Sequence, residues 1–258
     1  MIRTLGIGAA VLLLAAPGRA QERVDAAAIA RIKEEALQRS QVLSTFNMLT
    51  NIIGPRLTGS PAYKAAADWT RTQLERWGLS NAHLEPFEFG RGWTLEKFAL
   101  ELTAPRYFPL TGIPEAWTPS VAGVLEKQPI YVGDKSVEEV KALGERVRGA
   151  IVLVQPPQSE FIRADRLQPS AADERVRIGA PPSVRNEGKA ATRDLVAALE
   201  ELGAGAVLRP NMGEHGTVFV LGRRNTTDSA VPTIVLMPEH YNLIVRLVQS
   251  GTPVTLRL

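Results

Sequence analysis

Histidine is the side chain best suited to proton transfer or metal binding near neutral pH. The chain holds three, His83, His215 and His240. No two of them have the i, i+4 spacing that sets a pair of imidazoles on one helix face, and there is no His-Glu-x-x-His. His83 lies in a polar strand-like run, His215 in the turn Gly213-Glu214-His215-Gly216, and His240 follows Glu239 near a helix start. Each reads as a structural or surface residue. The absence of cysteine excludes disulfides, cysteine nucleophiles, thiolate metal sites and a lipid-modified cysteine. Ser80 in Gly78-Leu79-Ser80-Asn81-Ala82 imitates the spacing of a nucleophile elbow. That device needs a strand before the serine and a helix after it, and the patterns here run the other way. Gly188-Lys189 lacks the upstream glycine of a phosphate loop and Gly203-Ala204-Gly205 lacks a third spaced glycine, so both read as turns. Asn225-Thr226-Thr227 matches an N-glycosylation acceptor. No residue is assigned a catalytic, cofactor-binding or metal-ligating role.

The elements around these residues follow from periodicity. Ile29, Ile32, Ala36, Leu43 and Phe46 predict a helix over residues 22–50, ended by Gly54-Pro55. Ser60 as N-cap and Pro61 at the first helical position open a second helix, with Tyr63, Ala66, Thr70, Leu74 and Trp77 on one face and Gly78 as its stop. Two strand-like runs follow. Ala82 to Phe89 is interrupted by Pro86, which suggests an edge, and Leu95 to Thr103 sets Phe98, Leu100 and Leu102 on one face. The prolines between Ala104 and Pro119 read as a junction between domains. Beyond it, short apolar runs at 130–132, 150–154, 204–208, 233–237 and 254–258 alternate with helices expected at 136–143, 189–202 and 238–249. Such alternation gives an α/β domain. Pro156 to Gly188, rich in proline and charge, reads as disordered rather than as a lid. Trp69, Trp77, Trp93 and Trp117 read as packing residues.

Composition bounds the function classes. The chain of 258 residues is 45% hydrophobic and 22% charged, so it can bury a core. The net charge of +3 is too small to argue for nucleic acid, and no nucleic-acid motif appears. Residues 1–20 have the form of a secretion signal: Arg3, an apolar run from Leu5 to Ala16, and small Gly18 and Ala20 before Gln21. That run is too short to cross a bilayer, and no other stretch is long and apolar enough. A secreted or periplasmic protein without a stable membrane anchor is expected.

The order of segments then matters. Ile53-Gly54-Pro55-Arg56-Leu57-Thr58-Gly59-Ser60-Pro61-Ala62 opens a helix ending in Trp77-Gly78-Leu79. Phe87-Glu88-Phe89-Gly90-Arg91-Gly92-Trp93 and Pro114-Glu115-Ala116-Trp117-Thr118-Pro119 follow, and then the α/β region. This resembles the N-terminal half of a secreted zinc metallopeptidase of peptidase family 28, of the carboxypeptidase Q-like and aminopeptidase kind. The resemblance implies three segments: a signal peptide (1–20), the N-terminal part of an α/β zinc-exopeptidase domain (21–115), and an inserted protease-associated domain (116–258). It implies a parent enzyme that hydrolyses a peptide bond near a chain end. That enzyme holds two zinc ions with histidines and acidic residues, and a glutamate acts as base on metal-bound water. None of those residues is matched here. In the family they follow the inserted domain, so this chain alone is expected to hold no zinc and to be inactive. Arg56 either braces the loop that approaches the active site of the complete enzyme or, the favoured reading, bonds backbone carbonyls or an acidic neighbour to fix the turn. The rival reading is a non-catalytic exported module that binds peptides or proteins, and a third is a standalone serine hydrolase.

The signal-like start generates the first prediction. N-terminal sequencing of the expressed protein should find a start at or near Gln21 on material outside the cytoplasm. Intact Met1 on cytoplasmic protein would reject it.

Overall fold

The computed structural model describes residues 24–159, 182–220 and 231–258. The expected signal at residues 1–20, Asn225-Thr226-Thr227 and most of the proline-rich 156–188 segment lie outside the described residues. The chain divides into two compact units, Met1–Gly54 and Pro55–Leu258.

In the first unit the single expected helix is two. Helix α1 (Ala26–Gln38) starts at Asp25, whose carboxylate accepts from the amides of Ala27 and Ala28 at 2.9 and 3.0 Å. Helix α2 (Val42–Asn47) runs on into a π-helical turn, Met48–Ile52. The break falls at Ser40-Gln41. The Ser40 hydroxyl accepts from the Val42 amide and the Ser44 hydroxyl donates to the Gln41 carbonyl. Serines that bond the local backbone in this way compete with the helical ladder.

The second unit opens with α3 (Pro61–Arg76), built as its sequence dictates. The Ser60 hydroxyl accepts from the Tyr63 amide at 3.2 Å, and Pro61 occupies the first turn. Gly78 takes the left-handed region at φ 84, while the Leu79 amide donates to the Leu74 carbonyl and the Gly78 amide to that of Glu75. That pair of bonds is a Schellman stop, which favours glycine at the left-handed position.

Two sheets follow. The first is antiparallel, in the order β2 (Phe108–Pro109), β1 (Glu101–Ala104), β9 (Thr255–Arg257), β4 (Glu126–Lys127). The second runs β3 (Gly112–Pro114), β8 (Thr233–Leu236), β7 (Ala206–Pro210), β6 (Ile151–Leu153), β5 (Ile130–Tyr131). Strands β5 to β8 are parallel in sequence order, and β3 closes one edge antiparallel. Helices α4 (Val137–Lys141), α5 (Pro182–Glu201) and α6 (Pro238–Gln249) supply the connections and outer layers. A reciprocal capping box between Ser136 and Glu139 starts α4. Helix α5 begins earlier than residue 189, so Gly188-Lys189 is helical and not a turn.

The core sits on both faces of the parallel sheet because strand side chains alternate. Ile151, Leu153, Ala206, Leu208, Ile234 and Leu236 point into one cluster with Tyr241, Ile244 and Val245 of α6 and Leu102 and Leu256 of the first sheet. Val152, Val154 and Val207 point into the other, with Val140 of α4 and Leu195, Val196 and Leu199 of α5. Phe98, Leu100 and Leu102 share the first cluster, as their alternation predicts.

Two readings of the sequence need correction. Residues 82–89 join no strand ladder among the described residues. Pro86 lacks the donor a ladder needs. The proline-rich 104–119 stretch is not an irregular junction, because it carries β2 and β3 and so enters both sheets. Pro109 and Pro114 are tolerated because both strands are sheet edges. The sheets therefore begin before Ala116. A fragment starting there would lose β1, β2 and β3 together with Leu100, Leu102 and Leu110, all buried. At about 1.5–3 kcal/mol for each buried leucine, that loss rivals the stability of a whole domain. A 98–258 fragment should melt cooperatively by circular dichroism and a 117–258 fragment should not. Equal melts of the two would show that the early strands are dispensable.

Candidate functional site

The three segments that stood out in the sequence meet in the second unit. Ser60 donates to the Leu57 carbonyl, closing a turn in which Gly59 has φ 78. The Gly59 carbonyl lies flat against Gly92. A Cβ on Gly92 would collide with that oxygen, and one on Gly59 would stand 3.2 Å from the Gly92 Cα. Both positions therefore require glycine: Gly59 for its backbone conformation, and each for the close approach.

Residues 87–93 then interlock with 115–118. The Trp117 indole donates to the Arg91 carbonyl at 2.7 Å, and the Trp93 indole donates to the Thr118 carbonyl at 3.0 Å. The Phe89 ring lies 6.1 Å from that of Trp117. Residues 115–118 form a turn in which Thr118 bonds the Glu115 carbonyl through its amide and, at 2.8 Å, its hydroxyl. Trp117 occupies the third position at φ 64, where such turns favour glycine or asparagine. A bulky residue there costs about 1–2 kcal/mol. The indole bond and burial of the ring hold it.

The turn is anchored to the parallel sheet. The Glu115 amide donates to the Thr233 carbonyl of β8 at 2.8 Å. The Glu115 carboxylate accepts from Nε of Arg209, on β7, at 2.7 Å and from its Nη2. Glu115 is buried and Arg209 is half-buried. Both donors meet one carboxylate oxygen in a charge-assisted pair, a stronger kind of contact than a neutral hydrogen bond. Spacing alone did not reveal it. The partners are 94 residues apart, and indoles that bond main-chain carbonyls leave no side-chain signature.

The histidines are not brought together. His83 is exposed, with Nδ1 2.8 Å from the Asn81 carbonyl and Nε2 3.1 Å from the Glu85 carboxylate. The Asn81 carbonyl first, and Glu85 next, push its pKa up. His215 is exposed at φ 56 in its turn, 3.8 Å from Glu214. His240, on α6, accepts the Thr111 amide on Nδ1 at 2.8 Å, and burial pushes its pKa down against the pull of Glu239. Tyr241 exchanges hydrogen bonds with the main chain of Gln155 at 2.6 and 2.9 Å, and burial pushes its phenol well up. Burial, aided by Asp134, pushes Tyr131 up to about 12. These phenols stay neutral near pH 7 and act as structural groups.

Among the described residues no three histidine, aspartate or glutamate side chains gather as a metal site would require. The ring nitrogens of His83 and Nδ1 of His240 are already engaged. The described residues do not fit a zinc centre. Ser80 sits on a turn that follows helix α3, so the elbow order is absent as expected. Arg56 lies exposed in the motif loop, and Trp77 is half exposed at the end of α3.

No family model and no curated protein matches the chain. Among solved structures it is similar to a peptidase M28 precursor from Shewanella amazonensis SB2B, with TM-score 0.53 and 18% identity. That match covers 89% of this chain and 49% of the other, so the chain spans about half the length of that protein. It is also similar to an aminopeptidase from Aneurinibacillus sp. strain AM-1, with TM-score 0.43, 17% identity, and 87% and 45% of the two chains covered. A third is BSAP, a zinc aminopeptidase from Bacillus subtilis, with TM-score 0.44, 13% identity, and 83% and 41% covered. At such identity the first likeness is one of fold: the chain has an α/β fold shared with an M28 peptidase.

The Glu115–Arg209 pair gives a direct test. Removing one partner leaves the other charge uncompensated, so Glu115→Ala should lower the unfolding free energy by about 3 kcal/mol or more. Adding Arg209→Met should recover part of the loss. Gly92→Ala should cost at least as much as Glu115→Ala, because backbone must move. Urea unfolding at constant m reads all three. Additive losses in the double variant would show the two residues to be uncoupled.

Proposed function

We propose that this chain is the N-terminal portion of an exported zinc-dependent exopeptidase, with a protease-associated module from about residue 116 onward whose sheets are completed by strands β1 to β3 of the preceding segment. The observation that carries the reading is the meeting of the motif loop, residues 87–93 and residues 115–118 at one clasp anchored to the sheet. The fold likeness to an M28 peptidase across most of the chain supports it. The complete enzyme would use two zinc ions to activate water against a peptide bond near a chain end. Among the described residues no three histidine, aspartate or glutamate side chains gather as a ligand set. The part of the described residues is to hold the motif loop against the module, which would shape access for a peptide substrate. No described helix is long and apolar enough to cross a membrane.

Two measurements test the reading. The purified 258-residue chain, loaded with zinc, should hold no stoichiometric metal and should not turn over aminoacyl or peptidyl substrates. One or two tightly held zinc ions with chelator-sensitive turnover would show a site within this chain. Native protein recovered from the extracytoplasmic fraction with an antibody to this chain should hydrolyse such substrates and lose activity to a chelator. Native protein that binds peptides without hydrolysing them would favour the non-catalytic module instead.

A further inference from the structure

The chain crosses from one sheet to the other at Leu110-Thr111, between β2 and β3. Both polar groups of Thr111's backbone are held from the start of α6. Its carbonyl accepts from the Met237 amide at 3.0 Å, and its amide donates to Nδ1 of His240 at 2.8 Å. The His240 ring meets Phe108 of β2 edge-on, with centroids 5.0 Å apart. Leu110, next to Thr111, is buried in the core cluster shared by the two sheets and α6. One imidazole thus ties α6 to the second strand of one sheet and to the segment entering the other.

The bond has a chemical condition. Nδ1 can accept only while it carries no proton, so His240 is neutral with its hydrogen on Nε2, a tautomer assigned from the hydrogen bond. A proton on Nδ1 would set two N–H groups against each other. We propose that His240 is a pH-responsive latch, closed on the Thr111 amide when neutral and open when protonated. Around the ring, Glu239 on α6 favours the charged form. Arg106, from the β1–β2 connection, lies over the same Phe108 ring at 5.0 Å, and the Thr111 amide, as a donor to Nδ1, opposes the charged form. Burial outweighs Glu239 and pushes the folded pKa below the ordinary 6.5. The unfolded chain therefore takes up the proton first as pH falls. The latch contributes in full above the unfolded value, and its contribution is lost as pH falls through the folded one. The inference does not depend on the proposed function.

The test is hydrogen exchange and histidine NMR on the whole chain, between about pH 7.5 and 4.5. The His240 ring resonance should titrate with a midpoint below 6.5. The protection factor of the Thr111 amide should fall about tenfold with the same midpoint, as expected for loss of one hydrogen bond. Amides at the centre of β6 and β7 should keep theirs. In His240→Asn the side-chain oxygen can accept in place of Nδ1 without titrating, so Thr111 protection should become flat over this range. A His240 midpoint at or above 6.5, or the same Thr111 profile in His240→Asn, overturns the latch. Should that variant fold poorly, the wild-type midpoint and protection profile still decide.

Discussion

Strands β6, β7 and β8 are buried on both faces, and this constraint organises the second unit. A parallel sheet cannot leave a face to water, because its strands are joined by crossovers that lie on the faces. Helices α4 and α5 cover one side, and α6 with the antiparallel sheet covers the other. That need explains the apolar run of β6 and that of β8 after Thr233, where every side chain is buried. It also explains the routing of residues 98–114. They place Leu100, Leu102 and Leu110 over the sheet and then supply its antiparallel edge. The chain leaves that edge at Glu115, so the clasp with the motif loop forms where the sheet ends.

The parts of this fold visible in the sequence are those specified locally. Ile151-Val152-Leu153 and Thr233-Ile234-Val235-Leu236 declare themselves because a doubly buried strand has no polar alternation to find. Helix α3 carries its own start and stop in Ser60-Pro61 and Gly78. The misreadings come from residues whose effect depends on a neighbour. Prolines 109 and 114 resemble breakers until the partners of β2 and β3 show that each strand is an edge. Ala82 to Phe89 has strand composition, but a ladder needs a partner and Pro86 removes a donor. The split after α1 depends on which backbone groups two serines choose.

The chemistry was legible in the same uneven way. The sequence shows three histidines without ligand spacing, and the structure gives each surroundings of its own. What spacing could not show is that His240 holds a main-chain amide 129 residues away. The segments that carry the family resemblance do converge, and the groups that join them are glycines, indoles and one ion pair. Such groups set distances and angles. Together they make the clasp a scaffold built on the parallel sheet.

Trp117 shows how that scaffold is held. A left-handed tryptophan is unfavourable by about 1–2 kcal/mol, enough to let a turn adopt another form if nothing opposed it. What opposes it comes from a segment 26 residues earlier: the Arg91 carbonyl that takes the indole proton, and the Phe89 ring beside it. The dependence runs the other way too, because residues 87–93 join no ladder and take two of their fixed points from Trp117 and Thr118. Neither conformation is preferred in isolation, so the two segments order each other. Gly59 against Gly92 passes that order to the motif loop by backbone contact, where a side chain would only keep the two apart. The Glu115–Arg209 pair then refers the whole clasp to β7, the centre of the sheet.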